Sequence, residues 1–276
     1  MNKDDEHPTF LDIHIDSLHI GHKSGLYYNG RNFDYKPNPA NRWLWKVWNM
    51  FWEEVEQLIE GHNPSHVHLS MLGEAGDIDY KMRSNEFWTK DYDVVKDNAI
   101  EVLERPMKLV DGAHFFRGTD AHVGSGGTLD ELIASEYESA IPTEDGKFAH
   151  LRAEYEFGGV LFDVQHKGKN RSKWGDTNLI TALREEIILD RTHNKRPVPD
   201  VITRGHFHWL GATDINVSPL VVQVPSFQLP YKYIHDIDAV GRTPIVGGVV
   251  FIIKNRKVTY EPITYTFPRS KVWKQK

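Results

Sequence analysis

Arg204-Gly205-His206-Phe207-His208 follows a short run, Asp200 to Thr203, that reads as a strand resuming after Pro197 and Pro199. Residues two apart in extended chain project to one side, so His206 and His208 can present two imidazoles to one point. Imidazole is the commonest metal-ligating side chain. In α/β proteins ligands collect where loops leave strand ends. The pair belongs to a site if other strands of the chain also end in such residues, and if those strands alternate with helices.

The strands and helices do alternate. Phe10 to Ile15 reads as a strand with Leu11, Ile13 and Ile15 on one face. Leu44 to Ile59 reads as a helix, because Leu44, Val47, Phe51, Val55 and Leu58 recur at helical spacing and Trp45, Trp48 and Trp52 widen the apolar stripe. Those tryptophans read as core. His66 to Leu72 and His114 to Arg117 are further strands, and Tyr92 to Leu103, Leu129 to Ser139 and Thr177 to Leu189 further helices. Leu151 to Phe157 and Val160 to Gln165, joined by Gly158-Gly159, form a predicted hairpin. The last third is strand-rich, with runs at Leu220 to Val224, Val246 to Ile253 and Val258 to Thr264. Helices interleaved early and strands dominant late predict a layered α/β domain with mixed sheets. No interdomain linker stands out, so residues 1–276 are read as one domain.

Polar clusters follow the predicted strands five times. The first is Asp12-Ile13-His14-Ile15-Asp16-Ser17-Leu18-His19-Ile20-Gly21. Within it Asp12 and His14 point the same way and could chelate one ion. The second is Gly73-Glu74-Ala75-Gly76-Asp77-Ile78-Asp79, whose crowded carboxylates repel unless solvated or neutralised by a cation. The third is Arg117-Gly118-Thr119-Asp120-Ala121-His122-Val123-Gly124, the fourth is His166, and the fifth is the His206/His208 pair.

In this order and spacing the clusters resemble the calcineurin-like metallophosphoesterases, whose signature runs D-x-H, G-D-x-x-D, G-N-H-[DE], a lone His, then G-H-x-H. The third cluster is similar to the R-G-T-x-A-H-V-G motif of the phage-type branch. The resemblance extends through His19-Ile20-Gly21-His22 and the tail Pro225-Ser226-Phe227-Gln228-Leu229. It implies a four-layer α-β-β-α sandwich with two mixed β-sheets. It further implies two divalent metal ions, Mn2+ first and Fe, Zn or Ni as alternatives. Asp16, His19 and His208 would hold one ion and Asp120, His166 and His206 the other, with Glu74 between them. A shared water activated to hydroxide would attack the phosphorus, His122 would supply or steer the leaving-group proton, and Asp77 would support a ligand from behind.

Two positions depart from the family pattern. Aligning His19 puts Ser17 where an Asp is usual, so either Asp16 supplies the ligand or Asp12 and His14 take that role in another register; the continuing match favours Asp16 with His19. Glu74 replaces the usual bridging Asp and is longer by one methylene, about 1.5 Å. From these departures comes a rival reading, a metal-binding scaffold with little turnover. A phosphomonoesterase or protein phosphatase on the same site is a second rival, and a purely structural phage component is a third.

Composition sets outer bounds. The chain has no cysteine, which excludes disulfides and thiolate zinc sites and suits a reducing cytoplasm. No apolar run approaches the roughly 18 residues of a membrane span, and the acidic start, Met1 to Glu6, lacks a secretory core. A formal charge of −6 argues against a surface that grips nucleic acid everywhere. A local basic loop, Lys167-Gly168-Lys169-Asn170-Arg171-Ser172-Lys173-Trp174, follows His166. It could hold a phosphodiester backbone and stack a base, which makes nucleotide or nucleic acid the expected substrate. His62, His66, His68, His114, His150, His193 and His235 lack surrounding motifs and read as structural or surface residues, and His7 as part of a frayed terminus.

Overall fold

The computed structural model describes residues 8–28, 35–78, 86–89, 91–168, 176–230 and 244–268. In strand β1 (Thr9–Ile15), Leu11, Ile13 and Ile15 alternate with Asp12 and His14, and all five are buried. A strand buried on both faces lies within a sheet covered on both sides. β1 runs parallel to β2 (His66–Met71) and antiparallel to β10 (Ile245–Lys254). β3 (Gly112–Phe116) and β4 (Ala149–His150) extend the parallel side, and β11 (Lys257–Thr266) extends the antiparallel side. The order of this sheet is β11-β10-β1-β2-β3-β4.

The second sheet contains β5 (Ala153–Phe157), β6 (Val160–Gln165), β7 (Val201–Arg204), β8 (Gly211–Ala212) and β9 (Leu220–Gln223), in the order β5-β6-β7-β9-β8. Its centre is parallel and its two edges antiparallel. Phe116, Phe162, Val164, Val201, Val222, Val249 and Phe251 pack between the sheets.

Helix α1 (Pro39–His62) buries Leu44, Val47, Trp48, Phe51, Trp52 and Val55. Pro39 opens it, and the Asn38 and Asn41 side chains accept reciprocally from each other's backbone N–H groups. α1, α2 (Tyr92–Leu109) and α4 (Thr128–Ala134) share one core with Leu11, Ile13, Ile15, Leu69 and Phe115 of the first sheet. α5 (Asp176–His193) sets Ile180, Leu183 and Ile187 against Ile202 and Val221 on the outer face of the second sheet. The layers are therefore helix, sheet, sheet, helix, with two mixed sheets, as expected. Among the described residues no helix is long and apolar enough to cross a membrane.

All four predicted helices end elsewhere: α1 is longer at both ends, α5 runs on to His193, and α2 and α4 change most at their C-termini. α2 continues past Leu103 to Leu109 with Pro106 inside it. The proline removes one helical hydrogen bond, but its ring is buried on the face that already carries Val95, Val102 and Leu103. α4 stops at Ala134 rather than Ser139. The chain turns there, and Tyr137 stacks on Phe115 and donates its hydroxyl proton to the Ile100 carbonyl. The two-residue strands β4 and β8 and the one-turn helix α3 (Asp120–Val123) are too short to show a sequence period.

A candidate dinuclear metal centre

The loops leaving β1, β2, β3, β6 and β7 meet at one end of the sandwich. The first two are laced by backbone bonds: Ser17 N–H donates to the Gly73 carbonyl at 3.1 Å, His19 to Glu74 at 2.9 Å and Ile20 to Ala75 at 3.1 Å. Gly205 N–H likewise donates to the His166 carbonyl at 2.8 Å and joins the last two loops. Among the described residues nine non-glycine residues have positive φ, and five of them, Ser17, His19, Glu74, His206 and His208, are here. Such conformations cost of order 1–3 kcal/mol each and persist where the surroundings over-determine them, which is typical of functional sites.

The side chains converge. Among the described residues three groups could hold a metal ion: His19 with Asp77 and His122, and two more, His19 with Glu74 and His208 and Glu74 with His166 and His206, that share a carboxylate. Glu74 is common to these last two. Its Oε2 stands 3.1 Å from His19 Nε2, and its Oε1 stands 3.3 Å from His166 Nε2. His19 Nε2 and His208 Nε2 are 3.3 Å apart. The far nitrogens of two rings are already engaged: His19 Nδ1 lies 2.8 Å from Asp77 Oδ2, and His166 Nδ1 lies 2.6 Å from the Leu72 carbonyl oxygen. With Nδ1–H donating outward, both Nε2 lone pairs point into the pocket, the tautomer a metal ligand needs.

The electrostatics show the same convergence. Burial would lower His19, but the carboxylates of Glu74 and Asp77 outweigh it and push the imidazole up to about 10. His166 is raised in the same way, by Glu74 and Asp16 against its burial. Glu74 is pulled well below the usual carboxylate range, its burial overcome by His166, His122 and His19. Burial pushes His206 down to about 4, and burial with the adjacent His19 lowers His208. The buried His166 Nε2 and His206 Nδ1 have no hydrogen-bond partner. Four imidazoles thus surround one carboxylate, and two of them, His166 and His206, keep a buried nitrogen without a partner. A pair of cations satisfies them, so the donor set fits divalent metal.

The expected residues fall into three classes. His19, Glu74, His166, His206 and His208 stand together. His122 is beside them, with Nδ1 3.0 Å from Asp77 Oδ1 and a quarter of its side chain exposed. Asp16 and Asp120 stand outside all three groups. Asp16 is buried behind the pocket: Oδ2 accepts from His206 N–H at 2.8 Å, and Oδ1 lies 3.3 Å from His166 Nδ1. Asp120, expected as a ligand, is exposed at the start of α3, and its Oδ1 accepts from Gly126 N–H at 3.1 Å. Thr119 takes the inward position instead, donating to Glu74 Oε1 from its N–H at 3.0 Å and from its hydroxyl at 2.7 Å.

Asp12 and His14 belong elsewhere, so the alternative register for the first cluster is set aside. Their side chains lie between the sheets, within a separate buried network. Asp12 accepts from Tyr155 at 2.8 Å and pairs with His68 Nδ1 at 2.8 Å and His14 Nε2 at 3.1 Å, while His68 Nε2 meets His114 Nδ1 at 2.8 Å. Lys167 is exposed beside His166. Lys169, Arg171, Lys173, Trp174, Asp79, His7 and His235 lie outside the described residues.

Sequence reading missed Asp130. It is buried on α4, and its carboxylate accepts from Gly118 N–H at 2.8 Å, Ala75 N–H at 3.1 Å and Glu74 N–H at 3.3 Å. The available signal was its place at the third position of a short helix directly after the Gly126-Gly127 turn.

No protein-family model matches the sequence, and no curated protein matches it. Solved structures do. Over 92% of this chain and 98% of the other, it is similar to the zinc complex of Vps29 from Entamoeba histolytica, at 12% identity and a TM-score of 0.40. A novel archaeal phosphodiesterase aligns over 92% of this chain and 99% of its own, at 11% identity and a TM-score of 0.42. A dimetal phosphatase from Danio rerio aligns over 95% and 100%, at 10% identity and a TM-score of 0.47.

Proposed function

We propose that this chain is a calcineurin-like, metal-dependent phosphoesterase that hydrolyses phosphodiesters, with nucleotide or nucleic acid as substrate. One observation carries the reading. A single carboxylate, Glu74, is shared by two groups that each add two histidines, the arrangement expected of a two-ion hydrolytic site. His19, His208 and Glu74 would hold one ion, and His166, His206 and Glu74 the other. Mn2+ is the proposed metal, and Fe, Zn and Ni suit the same donors.

Ions bound there would supply Lewis acidity, lowering the pKa of water and neutralising charge on the phosphoryl oxygens. The protein's own groups do the rest. Asp77 fixes the His19 ring through Nδ1 and accepts from His122 Nδ1, so one carboxylate orients a ligand and a proton donor together. With Nδ1 committed, His122 has Nε2 available to protonate the leaving oxygen. His122, His206 and His208 are the incompletely buried members of the cluster and mark its open side. The proposed backbone contact for a nucleic-acid substrate is Lys167, with Lys169, Arg171 and Lys173 following it in sequence.

The test compares an aryl phosphodiester with the matching monoester in the presence of Mn2+. Faster diester turnover, lost in His122→Ala, is expected. A preference for the monoester overturns the substrate class, and no turnover of either by metal-loaded protein overturns the enzyme reading.

A further inference from the structure

Glu74 holds its shared position in a backbone conformation that a β-unbranched acidic residue does not choose unaided, with φ 55°. Something must hold that loop, and the carboxylate beneath it is Asp130. Oδ2 of Asp130 accepts from the N–H groups of Gly118 and Glu74, and Oδ1 accepts from Ala75 N–H. Two of these donors belong to the loop after β2 and one to the loop after β3, so a single side chain ties both to α4. Gly118 fits the same construction, since a Cβ at that position would overlap Glu74 Cγ. The residue after it, Thr119, then reaches Glu74 Oε1 with two donors.

We infer that Asp130 is the positioning residue of the metal centre, clasping the Glu74 and Thr119 loops so that the Glu74 carboxylate lies between the two histidine pairs. It belongs to none of the groups that could hold a metal and acts through Glu74. Charge-assisted bonds from a buried carboxylate to several N–H groups are the strong kind, and they fix a loop more tightly than neutral contacts. The clasp also suits the length of the Glu74 side chain. Lifted by its left-handed backbone and drawn toward Thr119, that side chain reaches both groups.

This inference rests on the dinuclear reading, and titration of metal-free protein with Mn2+ separates the two. The unaltered protein is expected to bind two ions per chain with the spin-coupled electron paramagnetic resonance spectrum of a carboxylate-bridged pair. If it binds no such pair, the dinuclear reading fails. Asp130→Asn keeps the shape but presents an N–H2 to backbone donors. It is expected to weaken binding of at least one ion tenfold or more and to replace the coupled spectrum with that of isolated Mn2+, while its circular dichroism stays native. A coupled spectrum and unchanged affinity in Asp130→Asn overturn the assignment. Should that variant not fold, hydrogen exchange in the unaltered, metal-free protein decides. Slow exchange at the amides of Glu74, Ala75 and Gly118 supports the clasp, and exchange of any one at an open-loop rate overturns it.

Discussion

Asp77 Oδ2 stands 2.8 Å from Nδ1 of His19, with both side chains buried at the mouth of the β1 and β2 loops. The other oxygen of the same carboxylate serves His122 at 3.0 Å. Asparagine offers one acceptor oxygen for these two donors. Asp77→Asn is therefore expected to lower metal affinity by roughly 10–100-fold, the usual effect of removing a support behind a histidine ligand. It should also lower kcat beyond what saturating metal restores, because His122 loses its orientation. Calorimetric Mn2+ titration with kinetics at saturating metal measures both; full rescue of kcat by excess Mn2+ would confine Asp77 to ligand support.

Glu74 separates the enzyme from a silenced scaffold. If the glutamate were a defect, Glu74→Asp would raise activity. The geometry argues the reverse. The carboxylate meets His19 at 3.1 Å, His166 at 3.3 Å and the Thr119 hydroxyl at 2.7 Å. Shortening the side chain by a methylene withdraws it about 1.5 Å from all three. Glu74→Asp is expected to lose at least tenfold in diester turnover and to bind its second ion more weakly. Higher turnover than the unaltered protein would restore the scaffold view.

Asp16 predicts an unusual pairing of substitutions. A Cβ on Gly205 would overlap the Asp16 carboxylate, which also accepts from the neighbouring His206 N–H. Gly205→Ala is expected to cost about 1–3 kcal/mol, the range for overpacking a filled interior, and to displace His206. Asp16→Ala removes the obstructing group, so the double variant should be more stable than the sum of the single losses predicts. Urea unfolding of the four proteins closes the cycle, and simple additivity rules out the contact.

These cases show what the chain order reveals and what it conceals. Alternation in Leu11, Ile13 and Ile15 and the spacing of Leu44, Val47, Phe51 and Val55 are local patterns, and both appear in the structure as the buried faces of β1 and α1. His206 and His208 mark the site by their sequence, but both take left-handed rather than extended backbone and fall in different groups instead of meeting at one point. Asp120 stands outside the groups around Glu74 because α3 begins at that residue, where it is exposed, while Thr119, still extended, donates to Glu74. Asp130 and the buried histidines share another obstacle: their partners are set by register between distant segments. His68 lies opposite Asp12 in the β1–β2 ladder, and His114 opposite Ser70 in the β2–β3 ladder. No pattern within one segment encodes such a pairing.

The inter-sheet network also makes a prediction about pH. His114 is held down at about 3, chiefly by burial and then by the neighbouring imidazoles of His68 and His150. Tyr155 stacks on its ring, and Asp12, nearby, opposes the shift only in part. The unfolded chain protonates this imidazole near its ordinary value of 6.5. Between the two values the unfolded state binds a proton that the folded state refuses. The stability that His114 contributes is therefore full above about 6.5 and is lost as pH falls toward about 3. Asp12 acts in the same direction at lower pH. Its folded value lies below the usual carboxylate range, so its contribution is lost on acidification. His22 and His206, both lowered to about 4 by burial, add to the decline, while Asp16 and Asp130, raised by burial, and His19 and His166, raised by their carboxylates, offset part of it. Metal-free protein should consequently unfold at lower urea at pH 4.5 than at pH 7, by a few kcal/mol. His114→Gln retains a donor for His68 without a titrating ring, and it should narrow that gap without closing it. An unchanged gap in His114→Gln would show that the imidazole is protonated in the folded state and that the network is not closed to protons.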